Sequence, residues 1–293
     1  MKANLHVHTN HSDGTKTVSE INELALENNI DVIGITDHDT LNAASDIVKL
    51  DTTVKFILGV EVSCKYKGET IHILGYFKDI PDKKLIDYFK INEEKRLNRC
   101  LKIIDNLEKY YGIKIDYEDV KKRADGLIAR PHIAEAICDK IGCTFDEAFD
   151  KYIGDDSKAY VPYDVISLSD AIKLLKENNA LTVLAHPVLI KKFDYKEIIN
   201  MGFDGIEVYH PNQSDEFSEE LLKLAHKNHL IITAGSDYHG EIIPNKFNES
   251  LLYGNYLDEF LKALNKLSYS DICPYRNFFK SMILRRFIFD VSK

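Results

Sequence analysis

The sequence predicts an α/β protein with a barrel-like sheet that is interrupted by an inserted helical subdomain. Short apolar runs alternate with amphipathic helical patterns near both ends of the 293-residue chain, as in βα units with parallel strands. Between about residues 82 and 162, by contrast, no run has a convincing strand pattern. We therefore expect residues 1–81 to form the first half of the barrel, residues 82–162 a helical insertion, and residues 163–293 the second half with a C-terminal helix.

Seven short apolar runs are the candidate strands, because they alternate with the helical patterns. They lie at residues 3–7, 31–36, 54–60, 71–76, 180–185, 205–209 and 230–234. The first helix has a clear start after the first of these runs. Thr17 and Glu20 have the spacing of a capping box, and Val18 and Ile21 begin one apolar stripe.

The segment assigned to the insertion is predicted to be helical from its apolar spacing. Leu97, Leu101 and Leu107 lie on one helical face among many polar residues. A second helix is expected over residues 133–141. This part of the chain therefore contributes helices, and no strand, to the predicted fold.

The last stretch of the chain, residues 274–293, is both aromatic and basic. One interpretation is an arm that binds nucleic acid. The other is a C-terminal helix whose apolar face packs on the core, and the helical spacing of residues such as Met282 and Ile283 favours it.

Composition excludes several classes of protein. A hydrophobic content of 44% and a charged content of 29% are ordinary for a globular domain. The net charge of −9 argues against strong non-specific binding of nucleic acid, so an anionic substrate has to be met by local positive charge, from metals or a few Arg and Lys.

The chain also lacks the marks of a secreted or membrane protein. No stretch approaches the length of a membrane span, and the N-terminus has no apolar segment typical of a signal peptide. The five cysteines show no CxxC spacing and are expected to be reduced thiols. We therefore expect a cytoplasmic protein with no membrane partner, and the sequence indicates no obligate protein partner.

Ionisable residues follow the apolar runs at several points along the chain. His6 and His8 are two apart on a predicted strand, so both imidazoles point to one face. Other runs lead into Asp37-His38-Asp39, Glu61, His186, and the pair Asp237 and His239. Burying such groups without partners would be very costly, and the carboxyl ends of parallel strands form one face of a barrel. The pattern predicts a site for two or three divalent ions there, and imidazoles with carboxylates suit Mn²⁺, Zn²⁺ or Fe.

The sequence is compatible with more than one role for each of three further residues. His72 lies inside an apolar run, where it could be a core residue or a ligand. His210 follows another predicted strand and could face the site. Glu207, in that strand, could be a ligand or could orient one through a hydrogen bond.

These motifs occur together in one known family. They are His6-x-His8, Asp13, Asp37-His38-Asp39, Gly59-x-Glu61, Ala185-His186-Pro187 and Gly235-Ser236-Asp237-x-His239. In this order, and across both halves of the predicted core, they resemble the PHP (polymerase and histidinol phosphatase) superfamily. The resemblance implies a distorted seven-stranded β/α barrel with a trinuclear metal centre at the carboxyl ends of the strands.

The resemblance also implies a set of ligands for two to three divalent ions, of which Mn²⁺ is the first expectation and Zn²⁺ or Fe the others. His6, His8, Glu61 and Asp237 would hold the first ion. Asp13, His38 and His239 would hold the second, and Glu61, as a bridge, with His72 and His186 the third. Glu61, Asp237 and His239 would also be catalytic, with His239 as a candidate to protonate the leaving oxygen.

Within the superfamily, the long helical insertion and the sequence around Arg130-Pro131-His132 resemble one branch. That branch contains 3′,5′-nucleotide bisphosphate phosphatases and 5′-to-3′ oligoribonucleases. By this analogy Arg130 and His132 would contact a substrate phosphate, and the guanidinium fork suits that role. The alternative is that Pro131 begins a helix and that Arg130 and His132 beside it have only structural roles.

The resulting hypothesis is a metal-dependent phosphoesterase that acts on phosphorylated nucleotides or short oligoribonucleotides. Metal binding lowers the pKa of water, so a hydroxide between two ions would be the nucleophile. One alternative is a small-molecule phosphatase of the histidinol-phosphate type. An amidohydrolase is disfavoured because Glu61 stands where a carbamylated lysine is usual, and a non-catalytic metal-dependent nucleotide-binding regulator is disfavoured because no ligand position is lost.

Overall fold

The computed structural model describes residues 1–124, 128, 130–162 and 165–267, and its core is one curved sheet. The eight strands are β1 (Lys2–Val7), β2 (Val32–Ile35), β3 (Lys55–Tyr66), β4 (Glu69–Phe77), β5 (Ala180–Leu184), β6 (Gly205–Tyr209), β7 (Ile231–Ala234) and β8 (Leu252–Tyr253). Their order in the sheet is β7-β6-β5-β4-β3-β2-β1-β8. The predicted α/β barrel is confirmed: the sheet is nearly closed and β8 adds a short eighth strand beside β1.

The helices lie between the strands and in the predicted insertion. They are α1 (Val18–Glu27), α2 (Ala44–Ile47), α3 (Lys83–Tyr111), α4 (Tyr117–Ala124), α5 (Arg130–Ile141), α6 (Phe145–Glu147), α7 (Leu168–Glu177), α8 (Asp215–Asn228) and α9 (Gly254–Lys266). A π-helical segment spans Ala148–Ile153, and short 3₁₀ turns span Pro187–Leu189, Tyr195–Glu197 and Ile199–Met201. The capping box at the start of α1 is present, with the Thr17 hydroxyl accepting the Glu20 N–H.

The direction of one strand differs from the expected parallel sheet. β4 is antiparallel to both β3 and β5, and the two-residue β8 is antiparallel to β1, whereas the other four strand pairs are parallel. β3 and β4 form a hairpin around Lys67 and Gly68, which have φ values of 46° and 79°. Two positive φ values in a two-residue loop match the twist of the flanking strands, so this turn reverses the chain without splaying them.

The two ends of the sheet meet across a seam between β1 and the residues after β7. Val7 pairs with Tyr238, and the Asn4 side chain donates to the Ser236 hydroxyl at 2.7 Å and to the Phe247 carbonyl at 2.8 Å. The Asn4 side-chain oxygen also accepts the Ser236 N–H at 3.0 Å. A buried asparagine with these partners satisfied fixes the register of the seam.

The helix α3 joins two hydrophobic cores. Leu85 and Phe89, near its start, pack in the core of the barrel. Ile103 and Leu107, near its end, pack with α4, α5 and the π-helical segment in a separate core. The helical character expected for residues 82–162 is therefore present, and the three-part division of the chain stays a prediction.

Some expectations concern residues outside the described ranges. The proposed C-terminal helix or arm over residues 274–293 and Cys273 lie there. No disulfide links the four cysteines within the described part of the chain. Among those same residues, no helix combines the length and apolar character needed to cross a membrane.

Candidate metal centre

Glu61 is a buried carboxylate at the centre of the site, and five imidazoles surround it. Its Oε2 atom lies 3.2 Å from His6 Nε2, 3.1 Å from His8 Nε2 and 3.3 Å from His38 Nδ1. Its Oε1 atom lies 2.9 Å from His72 Nδ1 and 2.8 Å from His186 Nε2. Each carboxylate oxygen of Glu61 therefore lies close to imidazoles that come from different strands or from the residues after them.

The strands explain why these side chains meet. His6 and His8 flank Val7 at the end of β1 and point to the same side of the sheet, as their spacing predicts. Glu61 lies within β3, which continues to Tyr66, so the expectation that the strand ends just before Glu61 is wrong. His72 lies within β4, in agreement with its position inside an apolar run. The antiparallel β4 brings His72 to the site from within a strand, because Ser63, two residues beyond Glu61, pairs with it.

A second group of donors lies next to the first. Asp13 Oδ1 is 3.5 Å from His8 Nδ1 and 3.3 Å from His239 Nε2, and Asp13 Oδ2 is 3.8 Å from His38 Nε2. Asp237 Oδ1 is 3.2 Å from His8 Nε2, which links this group to the centre. The loops after β1, β2 and β7 therefore deliver their donors to one place.

The donor atoms fall into three groups, each with its atoms within 4.8 Å of one another. The groups are His6, His8, Glu61 and Asp237; His8, Asp13, His38 and His239; and His38, Glu61 and His72. The first contains the four residues expected around the first ion, and the second contains the three expected around the second. His186 joins the cluster through Glu61.

Several of these nitrogens lack hydrogen-bond partners. Among the described residues, none forms a hydrogen bond with His6 Nε2, either ring nitrogen of His8, or His38 Nδ1, although all four atoms are buried. Carboxylate oxygens of the cluster lie 3.1 to 3.5 Å from these nitrogens. Donors that bind one ion at about 2.1 Å stand roughly 3.0 to 3.4 Å apart, which is the spacing around Glu61 Oε2. The donor set therefore fits divalent ions.

The cluster also shifts the pKa values of its members. Burial by itself would raise the pKa of Glu61, but the imidazoles of His38, His72 and His6 outweigh it and hold that pKa well below its usual range. Burial opposes the charged form of His8, yet Asp237 and Glu61 raise its pKa to about 10. At His38 burial prevails and lowers the pKa to about 4. The carboxylates are thus ionised, as metal binding requires.

Strand β6 contributes side chains that hold the donors in place. Glu207 Oε1 lies 3.0 Å from His6 Nδ1, and Glu207 Oε2 accepts the His186 N–H at 2.8 Å. His210 Nδ1 accepts the Asn212 N–H, so the ring proton sits on Nε2, which faces Asp237 Oδ2 at 3.4 Å. The interpretation of Glu207 as a residue that orients a ligand agrees with this geometry, and His210 faces the site.

The two acids of the Asp37-His38-Asp39 motif have partners outside the donor cluster, which the motif itself does not indicate. Asp37 accepts the N–H and the hydroxyl of Thr9 and the hydroxyl of Ser12, each at 2.7 Å. It thereby fixes the loop that carries Asp13. Asp39 accepts the Ser63 N–H at 3.0 Å and pairs with Arg96 from α3.

Gly235 occupies a position where a side chain would collide with the site. A Cβ atom built there would lie 2.2 Å from the Cβ atom of His6. The chain after β7 therefore passes close to β1 only because residue 235 is glycine, and this approach brings Asp237 to His6 and His8.

A cleft of about 420 Å³ opens over one side of the cluster. Donors of the cluster and cationic side chains line it together: Asp13, His38, His72, Lys65, Arg96, Arg99, Arg130 and Lys192. Arg130 pairs with Asp155 at 2.8 Å and its guanidinium lies over the ring of Phe149 at 5.0 Å. His132 is buried, which lowers its pKa, and it is not among the described residues that line the cleft.

Comparisons with known proteins agree with this site. The chain is 29% identical to a 5′-3′ exoribonuclease from Haemophilus influenzae over 248 residues, which cover 81% of this chain and 90% of that protein. It is 28% identical to a 3′,5′-nucleoside bisphosphate phosphatase from Chromobacterium violaceum over 250 residues, 80% of this chain and 86% of that one.

A solved structure and a family match extend the comparison to the fold. A protein from Bifidobacterium adolescentis, described as a metal-dependent phosphoesterase, superposes with a TM-score of 0.73 at 28% identity, over 89% of this chain and 96% of that one. The PHP domain family matches residues 4–271, which include all the donors described above. The chain therefore belongs to the PHP family, as its motifs predict.

Proposed function

We propose that this chain is a metal-dependent phosphoesterase that hydrolyses phosphate esters of nucleotides, as a 3′,5′-bisphosphonucleotide phosphatase, a 5′-to-3′ oligoribonuclease, or both. One observation carries the proposal: a cluster of imidazoles and carboxylates opens, through Asp13, His38 and His72, onto a cleft that is also lined by five cationic side chains. Phosphoryl transfer is catalysed mainly by positioning and by stabilising charge on the phosphoryl oxygens, and this arrangement supplies both. The relatives' activities support the substrate class.

The proposal assigns the metal ligands as His6, His8, Asp13, His38, Glu61, His72, His186, Asp237 and His239, with two to three ions and Mn²⁺ as the first choice. Bound ions would supply Lewis-acid stabilisation of the phosphate and an activated water. The chain's own residues orient these ligands: His239 Nδ1 donates to the Asp237 carbonyl at 2.9 Å, which leaves Nε2 as a lone-pair donor facing Asp13. This geometry supports the ligand role of His239 more than its role as a proton donor.

Arg130 is the proposed contact for a substrate phosphate. It lines the cleft, and Asp155 and Phe149 limit the orientations of its guanidinium. His132, two residues along α5 from Arg130, stays the second proposed contact for a substrate phosphate, and its ring is buried.

Replacing Arg130 with methionine is expected to raise KM for a nucleotide substrate about tenfold or more, because one charge-assisted contact to phosphate is lost. Arg130→Lys should recover part of the loss, since lysine restores the charge without the planar fork. Steady-state kinetics measure both. Equal KM values for the wild type and the Arg130→Met variant would contradict the assignment.

The proposed function itself is tested by metal analysis and a substrate panel. The purified protein should contain two to three Mn, Zn or Fe per chain, lose activity in excess chelator, and regain it when Mn²⁺ is added. The panel compares 3′-phosphoadenosine 5′-phosphate, a 5′-phosphorylated oligoribonucleotide, histidinol phosphate and p-nitrophenyl phosphate. Preference for histidinol phosphate would favour the small-molecule phosphatase. Metal and nucleotide binding without hydrolysis of any compound would favour the non-catalytic regulator.

A cytoplasmic location is part of the proposal, because nucleotide phosphates and RNA fragments arise there. The four described cysteines, which are not linked by disulfides, accord with a reducing compartment.

A further inference from the structure

The hairpin of β3 and β4 forms a path from the centre of the site to the outer rim of the cleft. Glu61, Ser63 and Lys65 alternate along β3 and so share one face, and on β4 Thr70 lies opposite Lys65. Ser63, Lys65 and Thr70 all line the cleft. At about 3.3 Å per residue, the Cα atom of Lys65 is about 13 Å along the strand from that of Glu61.

A second lysine is held beside the tip of the same hairpin. The Glu69 carboxylate accepts the backbone N–H groups of Lys191 and Lys192, each at 2.8 Å. The Lys192 ammonium then donates to the Gly68 carbonyl at 3.1 Å and lines the cleft. Its neighbour Lys191 donates instead to the Val188 carbonyl at 2.6 Å and is not part of the lining.

The charges of these two lysines are not neutralised. Among the residues that the structure describes, no carboxylate forms an ion pair with Lys65 or Lys192, whereas the neighbouring Lys67 pairs with Glu197. Both side chains stand on the wall of a cleft in a chain whose net charge is −9. The lining also contains the carboxylates of Glu69 and Asp155, but Glu69 accepts the backbone N–H groups of Lys191 and Lys192, and Asp155 pairs with Arg130. The two lysines therefore offer positive charge to an anionic ligand.

We propose that Lys65 and Lys192 form a subsite for backbone phosphates of an oligoribonucleotide, beyond the nucleotide whose phosphate ester lies at the metal centre. The proposal rests on the proposed function and narrows its substrate class. A distance of about 13 Å corresponds to roughly two to four nucleotides, since stacked nucleotides are about 3.4 Å apart and extended ones farther. A lysine is a flexible point charge, which suits contacts to phosphates without reading the bases.

The kinetic test compares Lys65→Met and Lys192→Met with the matched control Lys191→Met, in the full chain with its metals. Methionine keeps an apolar side chain and removes the charge. For a 5′-phosphorylated pentaribonucleotide, kcat/KM is expected to fall about tenfold in each of the first two variants, mainly through KM, because a phosphate contact is lost. For p-nitrophenyl phosphate and for the control variant, it should stay within about twofold.

A binding measurement separates this inference from the proposed function. Anisotropy of a labelled pentaribonucleotide, in excess chelator to stop hydrolysis, gives the slope of log Kd against log salt. Each of the two substitutions should reduce that slope by about 0.7, the value for one phosphate contact on a single strand, and Lys191→Met should leave it unchanged. If the wild type hydrolyses no phosphate ester, the proposed function fails while this slope still tests the subsite.

Two results would overturn the subsite. One is an unchanged slope and unchanged oligonucleotide kinetics in both lysine variants. The other is an equal loss of kcat/KM for 3′-phosphoadenosine 5′-phosphate and for the pentaribonucleotide, because the lysines would then contact the second phosphate of a mononucleotide.

Discussion

Replacing Glu61 with glutamine is expected to abolish metal retention and to lower phosphoesterase activity by about a thousandfold or more, well beyond the roughly 10- to 100-fold typical of residues that only orient ligands. Both oxygens of this carboxylate face imidazoles, at 2.8 to 3.3 Å. Glutamine has the same shape but puts an N–H₂ group in place of one oxygen and removes the negative charge. Metal content and kcat measure the effect.

The expected loss of metal and activity should result from the change at the metal site and not from unfolding of the protein. Glu23→Gln, at an exposed position on α1, is the matched control and should retain full metal content and activity. Circular dichroism should show the same secondary structure in all three proteins. A Glu61→Gln protein with normal metal content and less than about tenfold loss of activity would contradict the central role of this carboxylate.

Replacing Asp37 with alanine is expected to lower the free energy of unfolding by about 3 to 4 kcal/mol, because the N–H of Thr9 and the hydroxyls of Thr9 and Ser12 lose a charged acceptor in a buried site. Thr9 and Ser12 are both fully buried, so water cannot replace the lost partner. The loop that carries Asp13 should loosen as well, and activity should fall about 10- to 100-fold. Urea unfolding and kcat measure the two effects.

Asp37→Asn is the matched variant for this prediction. It retains one oxygen that can accept the Thr9 N–H and the Ser12 hydroxyl, so it should lose only about 1 to 2 kcal/mol. A change of less than about 0.5 kcal/mol in Asp37→Ala would show that Asp37 does not stabilise the loop.

The residues that could be predicted from the sequence are those governed by local pattern. Periodicity places His6 and His8 on one face of β1, and the capping box places the start of α1. The apolar runs also predict seven of the eight strands, because each of these seven strands is long enough to show an apolar pattern. The two-residue β8 leaves none.

Strand direction and hydrogen-bond partners depend on the rest of the chain, so they could not be predicted in the same way. An apolar run is the same in either direction, and the reversal of β4 is visible locally only as the Lys67-Gly68 turn. Asp37 and His38 are adjacent in sequence, yet Asp37 holds a loop while His38 faces Glu61. The position of β2 between β1 and β3 separates these two roles, because Asp37 contacts the loop after β1 and His38 contacts Glu61 on β3.

The seam between β1 and the residues after β7 has a consequence for how the protein is made. Asn4 and Ser236 are separated by 232 residues, so the contact forms only once Ser236 has left the ribosome. Until then β1 has one unpaired edge. Contacts between residues so far apart in sequence form slowly, because the entropy of closing the long loop is lost before the contact contributes stabilising free energy. His6 and His8 lie on one side of the seam and Asp237 and His239 on the other, so the complete set of donors exists only after the seam has closed.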